Sequence, residues 1–303
     1  MLSELFYWVL NMSILGSVAG LLVLLLSKLK ILPSFAVYVL WLLPLIRFWL
    51  PFGIANQYSL LNLISKFTTK TVLIRQELPQ ITATNSIMAA KNYFPLEYKT
   101  DLLKNVLNVA SLIWIIVSCA VMLILALLYF FSKSELKTAQ LISGNIYQSD
   151  KITAPAVYGI IQPKIIVPAQ IAAGDLDYIL LHEQVHIARR DNLFRAIALL
   201  TACVHWFNPL SWVFLKYFFA DMELACDAKV IKNLNERQTK EYARALLTCA
   251  SGKAFFASPF GGTQTKLRIE TILSYKKLTL FSSLCFAALV ISIAVIIITN
   301  ATV

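Results

Sequence analysis

Long uncharged hydrophobic runs alternate with polar segments along the chain. Residues 5–27, 105–131 and 278–299 carry no Asp, Glu, Lys or Arg, and residues 31–51 are apolar apart from Arg47. Each run approaches or exceeds the roughly 20 residues with which a helix crosses a bilayer. We therefore expect four transmembrane helices, with the Arg47 side chain reaching out to the interface.

The positions of the basic residues predict how these helices are oriented. Lys28, Lys30 and Lys133 lie at the ends of predicted spans, and Lys276-Lys277 precede the last one. Because basic loops stay in the cytoplasm, both termini are expected outside. The prediction is a multi-pass protein of a bacterial-type plasma membrane. It has a three-span membrane domain at 1–131 with an extracytoplasmic loop at 54–104, a cytosolic domain at 132–277, and a fourth helix with a short outer tail at 278–303.

Composition supports the membrane assignment and argues against other classes. The chain is 58% hydrophobic and 14% charged, whereas soluble domains are nearer half apolar and a quarter charged. The net charge of +11 fits membrane topology and anionic headgroups better than direct nucleic-acid binding, since no basic stripe is interleaved with aromatic residues. Five cysteines without a CxxC pair indicate a reduced protein without disulfides.

Short strands are expected at the start of the polar domain. Leu141–Tyr147 and Ile165–Val167 have strand character, and Tyr158–Pro168 predicts a hairpin that turns at Gln162-Pro163. Such a hairpin is either purely structural or holds substrate as an added strand.

Helices are expected after these strands. One begins near Asp175 as N-cap, and two others, Leu193–Val204 and Trp212–Ala220, are split by Asn208-Pro209. The predicted fold is therefore a mainly α integral membrane protein carrying a cytosolic α+β domain.

Residues 182–186 read His-Glu-Gln-Val-His and hold two of the three histidines in the chain. On a helix, the i, i+4 spacing puts His182 and His186 on one face, where both imidazoles can bind one Zn²⁺ ion. Glu183 then lies beside the metal, where a carboxylate can act as general base on water. The motif predicts a zinc metalloendopeptidase of the zincin type.

Two histidines leave zinc short of a third protein ligand. Glu223 is preferred, because a helix can leave the site, turn at Pro209 and return with Glu223 and Asp227 on one face. Asp227 would then accept a hydrogen bond from a ligand histidine. His205 is the other candidate ligand. If Glu223 binds, His205 is either an oxyanion stabiliser or a core histidine.

Several runs together are similar to one family. They are YGIIQPKIIVP, LLHEQVHIARRDNL, HWFNPLSW, ELACDAKVI, Tyr242-Ala243 and Lys266–Leu273, in that order. They resemble the BlaR/MecR family of membrane metalloproteases, the antirepressors of β-lactam antibiotic resistance. The resemblance covers roughly residues 1–300 and is most specific over 155–250.

The resemblance implies further properties. The family is similar to gluzincins, which implies His182, His186 and Glu223 on zinc and Glu183 as base, in a cytosolic domain held by four spans. It implies cleavage of a cytosolic winged-helix DNA-binding repressor, of the chain itself within 251–265, or of both, in signal transduction under cell-wall stress. Segment 251–265 is either such a self-cleavage loop or a plain linker. The family's receptors continue into a penicillin-binding sensor, whereas this sequence ends at Val303. Either a separate sensor protein supplies this function, or this sequence is shortened.

Two other functions remain open at this point. A membrane quality-control protease like the HtpX group also uses HExxH and a later glutamate. A receptor or scaffold with an inactive metal site is the remaining alternative.

Overall fold

A computed structural model describes residues 2–29, 32–50, 59, 101–135, 138–251, 261–275 and 280–299. The chain forms two compact units. The first contains residues 1–122, 200–215 and 279–303, and the second contains 123–199 and 216–278. Most of the predicted extracytoplasmic loop at 54–104 and most of the predicted self-cleavage segment at 251–265 lie outside the described residues.

The first unit is helical. It contains α1 (Leu2–Lys28), α2 (Ser34–Leu40), α3 (Leu42–Trp49), most of α4 (Asp101–Glu135) and α10 (Leu280–Ile298). Two described helices, Leu2–Lys28 and Asn105–Lys133, are long and apolar enough to cross a membrane by length and composition. Ser34–Trp49 and Ser282–Ile298 are shorter apolar helices, so two of the four predicted spans meet this test.

The second predicted span is divided at Trp41 rather than continuous. Pro44 explains the division, because it has no N–H to donate to the Leu40 carbonyl and its ring crowds that turn. Arg47 does not extend to an interface as expected. It is 2% exposed, and its Nε and Nη2 donate to the carbonyls of Ile297 and Thr299, each at 2.7 Å. A buried guanidinium is thus paired with the C-terminal end of a helix.

Close helix packing in the first unit depends on two glycines of α1. A Cβ added at Gly16 would lie 2.7 Å from the Phe48 ring, and one at Gly20 would lie 2.2 Å from the Phe214 ring. These glycines form a G-x-x-x-G pattern, which lets helices approach closely in membranes. Nearby, the Asn208 amide donates to the hydroxyls of Ser13 (2.8 Å) and Ser17 (2.7 Å).

A four-stranded sheet begins the second unit. Its strands are β1 (Gln140–Ser143), β2 (Ile146–Ser149), β3 (Ala156–Tyr158) and β4 (Lys164–Pro168), in the order β1-β2-β4-β3. The β2–β4 pair is parallel and the other two pairs are antiparallel. The predicted hairpin is confirmed as β3–β4. The single strand expected at 141–147 is wrong, because Gly144, with φ of +54°, turns the chain there.

Helices α5 (Ala173–Arg189), α6 (Asp191–Val204), α7 (Pro209–Ile231), α8 (Glu236–Ser251) and α9 (Gly261–Leu273) follow the sheet. Helix α5 begins before Asp175, so the predicted N-cap is wrong; Ala172 holds that position without a side-chain cap. The break at Asn208-Pro209 is confirmed. Residues from α5, α7, α8 and α9 share one core, which holds the elements that carry the site: Tyr178, Leu181, Val185, Val230, Ile231, Tyr242, Ala243 and Ile272.

Candidate metal centre

Helix α5 brings the two histidines of the HExxH motif together. His182 and His186 are 5% and 3% exposed, and their Nε2 atoms lie 3.1 Å apart. Glu183, which follows His182 on the same helix, is 8% exposed. Three ionisable side chains are therefore buried on one helix. Burial of such groups costs free energy that the hydrophobic effect does not repay, so it is typical of a functional site.

Glu223 of α7 brings its carboxylate next to these two nitrogens. Its Oε2 lies 3.4 Å from His182 Nε2, and its Oε1 lies 3.5 Å from His186 Nε2. A tetrahedral zinc ion with bonds of about 2.0–2.1 Å has its ligand atoms roughly 3.3–3.4 Å apart. The spacing of the three donors, two imidazoles and one carboxylate, therefore fits zinc with one position left for water.

Two arginines flank the Glu223 carboxylate. Arg195 Nη2 lies 2.7 Å from Oε1, and Arg268 Nη1 lies 3.4 Å from Oε2. Burial alone would raise the Glu223 pKa, but hydrogen bonds to the two histidines and the charge of Arg268 hold it well below its usual range. Glu223 is thus ionised, which is the form that binds a metal.

Asp191 contacts His186 at Nδ1, the ring nitrogen that faces away from the other donors. The sequence did not predict this contact. Helix α5 ends at Arg189, and Arg190 adopts the left-handed conformation (φ 57°), which reverses the chain. Asp191 is fully buried, and its Oδ2 accepts a 2.6 Å hydrogen bond from His186 Nδ1. Burial would lower the His186 pKa, but the bond to Asp191 helps raise it to about 10. Because Asp191 accepts the hydrogen bond from the proton on Nδ1, a metal that displaces the other proton would bind at Nε2, which faces the other donors.

We expect Asp191→Asn to weaken zinc binding about 10–100-fold, the usual cost of losing such a supporting group. An asparagine keeps the size but cannot act as an ionised acceptor for the His186 N–H. Zinc affinity would be measured by competition with a chromophoric chelator. Asp177→Asn, on the exposed face of the same helix, is the control and leaves affinity unchanged. Equal affinities for all three proteins would contradict the role of Asp191.

His182 is supported through a tyrosine. Its Nδ1–H donates to the Tyr242 oxygen at 2.8 Å, and the Tyr242 O–H donates to Asp227 Oδ1 at 2.6 Å. Asp227 itself lies 3.4 Å from His182 Nδ1, so it acts on the histidine mainly through Tyr242. The sequence predicted Asp227 as a support but did not predict the hydroxyl between the two groups.

Arg268 of α9 contacts both the supporting carboxylate of Asp227 and the donor side chains. Its Nε and Nη2 bind the two Asp227 oxygens at 2.7 and 2.8 Å, and Nη2 also lies 3.4 Å from His182 Nε2. Burial would raise the Asp227 pKa, but the charge and hydrogen bonds of Arg268 lower it strongly. Neither Arg268 nor Tyr242 was predicted as a site residue, although both lie in runs that carry the family resemblance.

Cys226 is an alternative sulfur donor near the histidines. Sulfur and nitrogen atoms of Cys226, His182 and His186 all lie within 4.8 Å of one another. However, Cys226 Sγ contacts His182 at Nδ1, at 3.6 Å, and Tyr242 already binds that nitrogen. Glu223 instead lies near both Nε2 atoms, so it is better placed than Cys226 to serve as a third donor.

Substitution of Cys226 by serine tests that assignment. We expect Cys226→Ser to retain zinc with near-normal affinity, because the Nε2 and carboxylate donors are untouched. X-ray absorption at the zinc edge of wild type should show nitrogen and oxygen at about 2.0–2.1 Å and no sulfur at about 2.3 Å. A sulfur shell that disappears in Cys226→Ser would overturn the assignment.

His205, the other predicted candidate, lies in the first unit. Its Nε2 is 3.1 Å from the Phe48 carbonyl, to which it donates, and the side chain is 1% exposed. The second unit holds the donors and Glu183. The contacts of His205 fit a core histidine, the second of its two predicted roles.

The edge strand next to α5 is capped by a side chain. The Asn192 amide donates to the carbonyls of Val157 (2.9 Å) and Gly159 (3.0 Å) of the β3–β4 hairpin. These are the carbonyls that a substrate strand added along β3 would use. A substrate strand could therefore pair with β3 only if the Asn192 side chain moved away. Substrate binding by strand addition stays a prediction.

Comparison with known proteins gives one family and several relatives. The family model described as BlaR1 peptidase M56 matches residues 7–272. "Regulatory protein BlaR1" of Bacillus licheniformis is 31% identical over 159 residues, which is 49% of this chain and 26% of that protein. "Methicillin resistance mecR1 protein" of Staphylococcus aureus (strain Mu50) is 28% identical over 109 residues, 35% of this chain and 19% of that protein.

A second BlaR1, from Staphylococcus aureus, is 25% identical over 208 residues, or 58% of this chain and 36% of that protein. The chain thus spans between about a fifth and about a third of the length of these curated relatives.

Proposed function

The chain belongs to the BlaR1 peptidase M56 family, and we propose that it is a membrane-embedded zinc endopeptidase that cleaves proteins at the cytosolic face. The observation that carries the proposal is the convergence of His182 Nε2, His186 Nε2 and the Glu223 carboxylate within 3.1–3.5 Å. This donor set binds zinc and leaves an open position, as in catalytic rather than structural sites.

Several residues of the chain would have separate roles in peptide-bond cleavage. A bound zinc ion would polarise the scissile carbonyl and acidify the attacking water. Glu183 takes the proton from that water and passes it to the leaving amine. Arg268 contacts both Asp227 and Glu223, so it would keep these two carboxylates in place around the donors. Arg195 and Arg268 together hold the Glu223 carboxylate in its ionised form.

Regulation is the proposed purpose of the cleavage. Two relatives are named a regulatory protein and a methicillin resistance protein, which favours a few specific cuts in a signalling response over general degradation. The proposed substrate is a winged-helix DNA-binding repressor, the segment 251–265 of this chain, or both. The trigger would come from a sensor, either a separate protein or a further segment of the same protein.

The proposed placement of the chain in the membrane follows from the pattern of apolar and basic residues and from the two candidate spans. We propose that the helices at 31–51 and 278–299 also cross the bilayer, with the site on the cytosolic side and both termini outside. The pairing of Arg47 with carbonyls of residues 297 and 299 supports this, because a charge inside a membrane needs such partners.

The purified chain provides the test of peptidase activity. The chain, in bilayer discs, would be incubated with a mixed library of proteome-derived peptides, and new termini would be identified by mass spectrometry. We expect cuts that a chelator abolishes and that added zinc restores. Cuts that persist unchanged in chelator would contradict the proposal.

A further inference from the structure

A broad groove lies within the second unit, on the part of the sheet that α4 approaches. Its volume is about 1060 Å³. Residues from the C-terminal end of α4, from the sheet and from the β3–β4 loop line it, among them Tyr129, Phe130, Lys133, Tyr158, Ile160 and Lys164. A hydrogen-bond contact of 3.4 Å between Ser132 Oγ and Tyr158 Oη joins α4 to the sheet at this place.

The groove is basic and aromatic. Lys133 and Lys164 both line it, and its described lining includes no Asp or Glu. The Lys164 ammonium lies 4.6 Å from the centre of the Tyr147 ring, a cation–π contact that orients the charge. A site with cations, aromatic rings and no acidic group is complementary to an anion that carries apolar chains.

The β3–β4 loop presents apolar side chains to the exterior. Ile160 is 52% exposed and Ile161 is 92% exposed. The loop is fixed in shape: Gly159 has φ of +95°, and Asn145 Nδ2 donates to the Pro163 carbonyl at 3.1 Å. A rigid turn that holds two adjacent isoleucines outwards is typical of a surface that enters the headgroup layer.

In the placement proposed above, α4 crosses the bilayer and puts this groove at the level of the headgroups. The part of α4 that is long and apolar enough to cross a membrane ends at Lys133, and Tyr129, Phe130 and Lys133 of that end line the groove. Tyrosine and lysine are typical of the last turn of a spanning helix, where hydrocarbon gives way to headgroups. The groove therefore opens where phospholipid phosphates lie.

We propose that this groove binds one anionic phospholipid of the surrounding bilayer. The phosphate lies against Lys133 and Lys164, and an acyl chain lies along Phe130 and Ile160. The site is distinct from the metal donors and requires no peptidase activity. Each lysine near the surface favours anionic over zwitterionic lipid by roughly fivefold, so the pair gives a clear preference.

Native mass spectrometry of the full chain tests this proposal. Protein would be purified in detergent with equal amounts of phosphatidylglycerol and phosphatidylcholine of identical acyl chains. Wild type should retain one phosphatidylglycerol in preference, and the double variant Lys133→Gln/Lys164→Gln should lose that preference. The control Lys229→Gln/Lys232→Gln removes two exposed lysines of the same unit outside the groove lining and should behave as wild type.

Other outcomes would overturn the proposal. One is equal retention of the two lipids by wild type, and another is an equal loss of preference in the control pair. A third outcome would show that a substrate polypeptide, and not a lipid, occupies the groove. If Lys133→Gln/Lys164→Gln raises KM for cleavage while lipid retention stays as in wild type, the groove belongs to substrate and not to lipid.

Discussion

Glu183→Gln is expected to lower peptide-bond cleavage by about 10²–10⁴-fold, the usual contribution of a positioned general base. The glutamine has the same size and can occupy the same buried place on α5, but it cannot take a proton from water. The metal donors His182, His186 and Glu223 remain in place. Zinc content per chain should therefore equal that of wild type while the rate of cleavage falls.

The matched control is Glu236→Gln, the same change at an exposed position whose carboxylate contacts Lys240 at 2.7 Å. Its activity should equal that of wild type. The role of Glu183 would be refuted by a Glu183→Gln protein that binds zinc and cleaves at the wild-type rate. A Glu183→Gln protein that has lost zinc would show instead that Glu183 holds the metal.

Glu223→Gln is expected to reduce zinc occupancy and activity together. An amide oxygen is a weaker zinc ligand than a carboxylate, so affinity should fall by more than the roughly 10–100-fold typical of losing a supporting hydrogen bond. The change also leaves Arg195 and Arg268 facing a neutral group, and their repulsion further disfavours a cation at this place. High zinc concentrations should restore part of the lost activity.

Glu241→Gln serves as control for this change. Glu241 lies on α8 of the same unit and binds the Tyr178 hydroxyl at 2.6 Å, away from the donors. It should keep zinc and activity. Wild-type zinc affinity in Glu223→Gln, combined with loss of zinc in Cys226→Ser, would assign the third position to sulfur.

The sequence contained enough to predict that the three candidate donors come together. His182 and His186 share a face because their spacing matches the helix repeat, and Pro209 can only begin a new helix, so Glu223 returns towards them. The β3–β4 hairpin followed from a Gln-Pro turn between apolar runs. These predictions depend on neighbours close in sequence, where local geometry decides.

The supporting groups could not be found in this way. Asp191 follows two arginines and resembles a charged helix end; it reaches His186 only because Arg190 takes a left-handed conformation. Tyr242 and Arg268 lie 60 and 86 residues from His182, so only tertiary packing of α8 and α9 brings them to it. The burial of Arg47 was missed for the same reason, because its carbonyl partners are 250 and 252 residues away in the sequence.

New protein N-termini in cells that express wild type or Glu183→Gln test the central claim most directly, because they report both chemistry and purpose. We predict one or two Glu183-dependent cuts after the stress signal, in a DNA-binding repressor or within residues 251–265 of this chain. Many cuts spread over membrane proteins would favour a quality-control protease. Identical N-termini in both strains, with zinc bound in wild type and the stress signal applied, would contradict the account of a regulatory zinc peptidase.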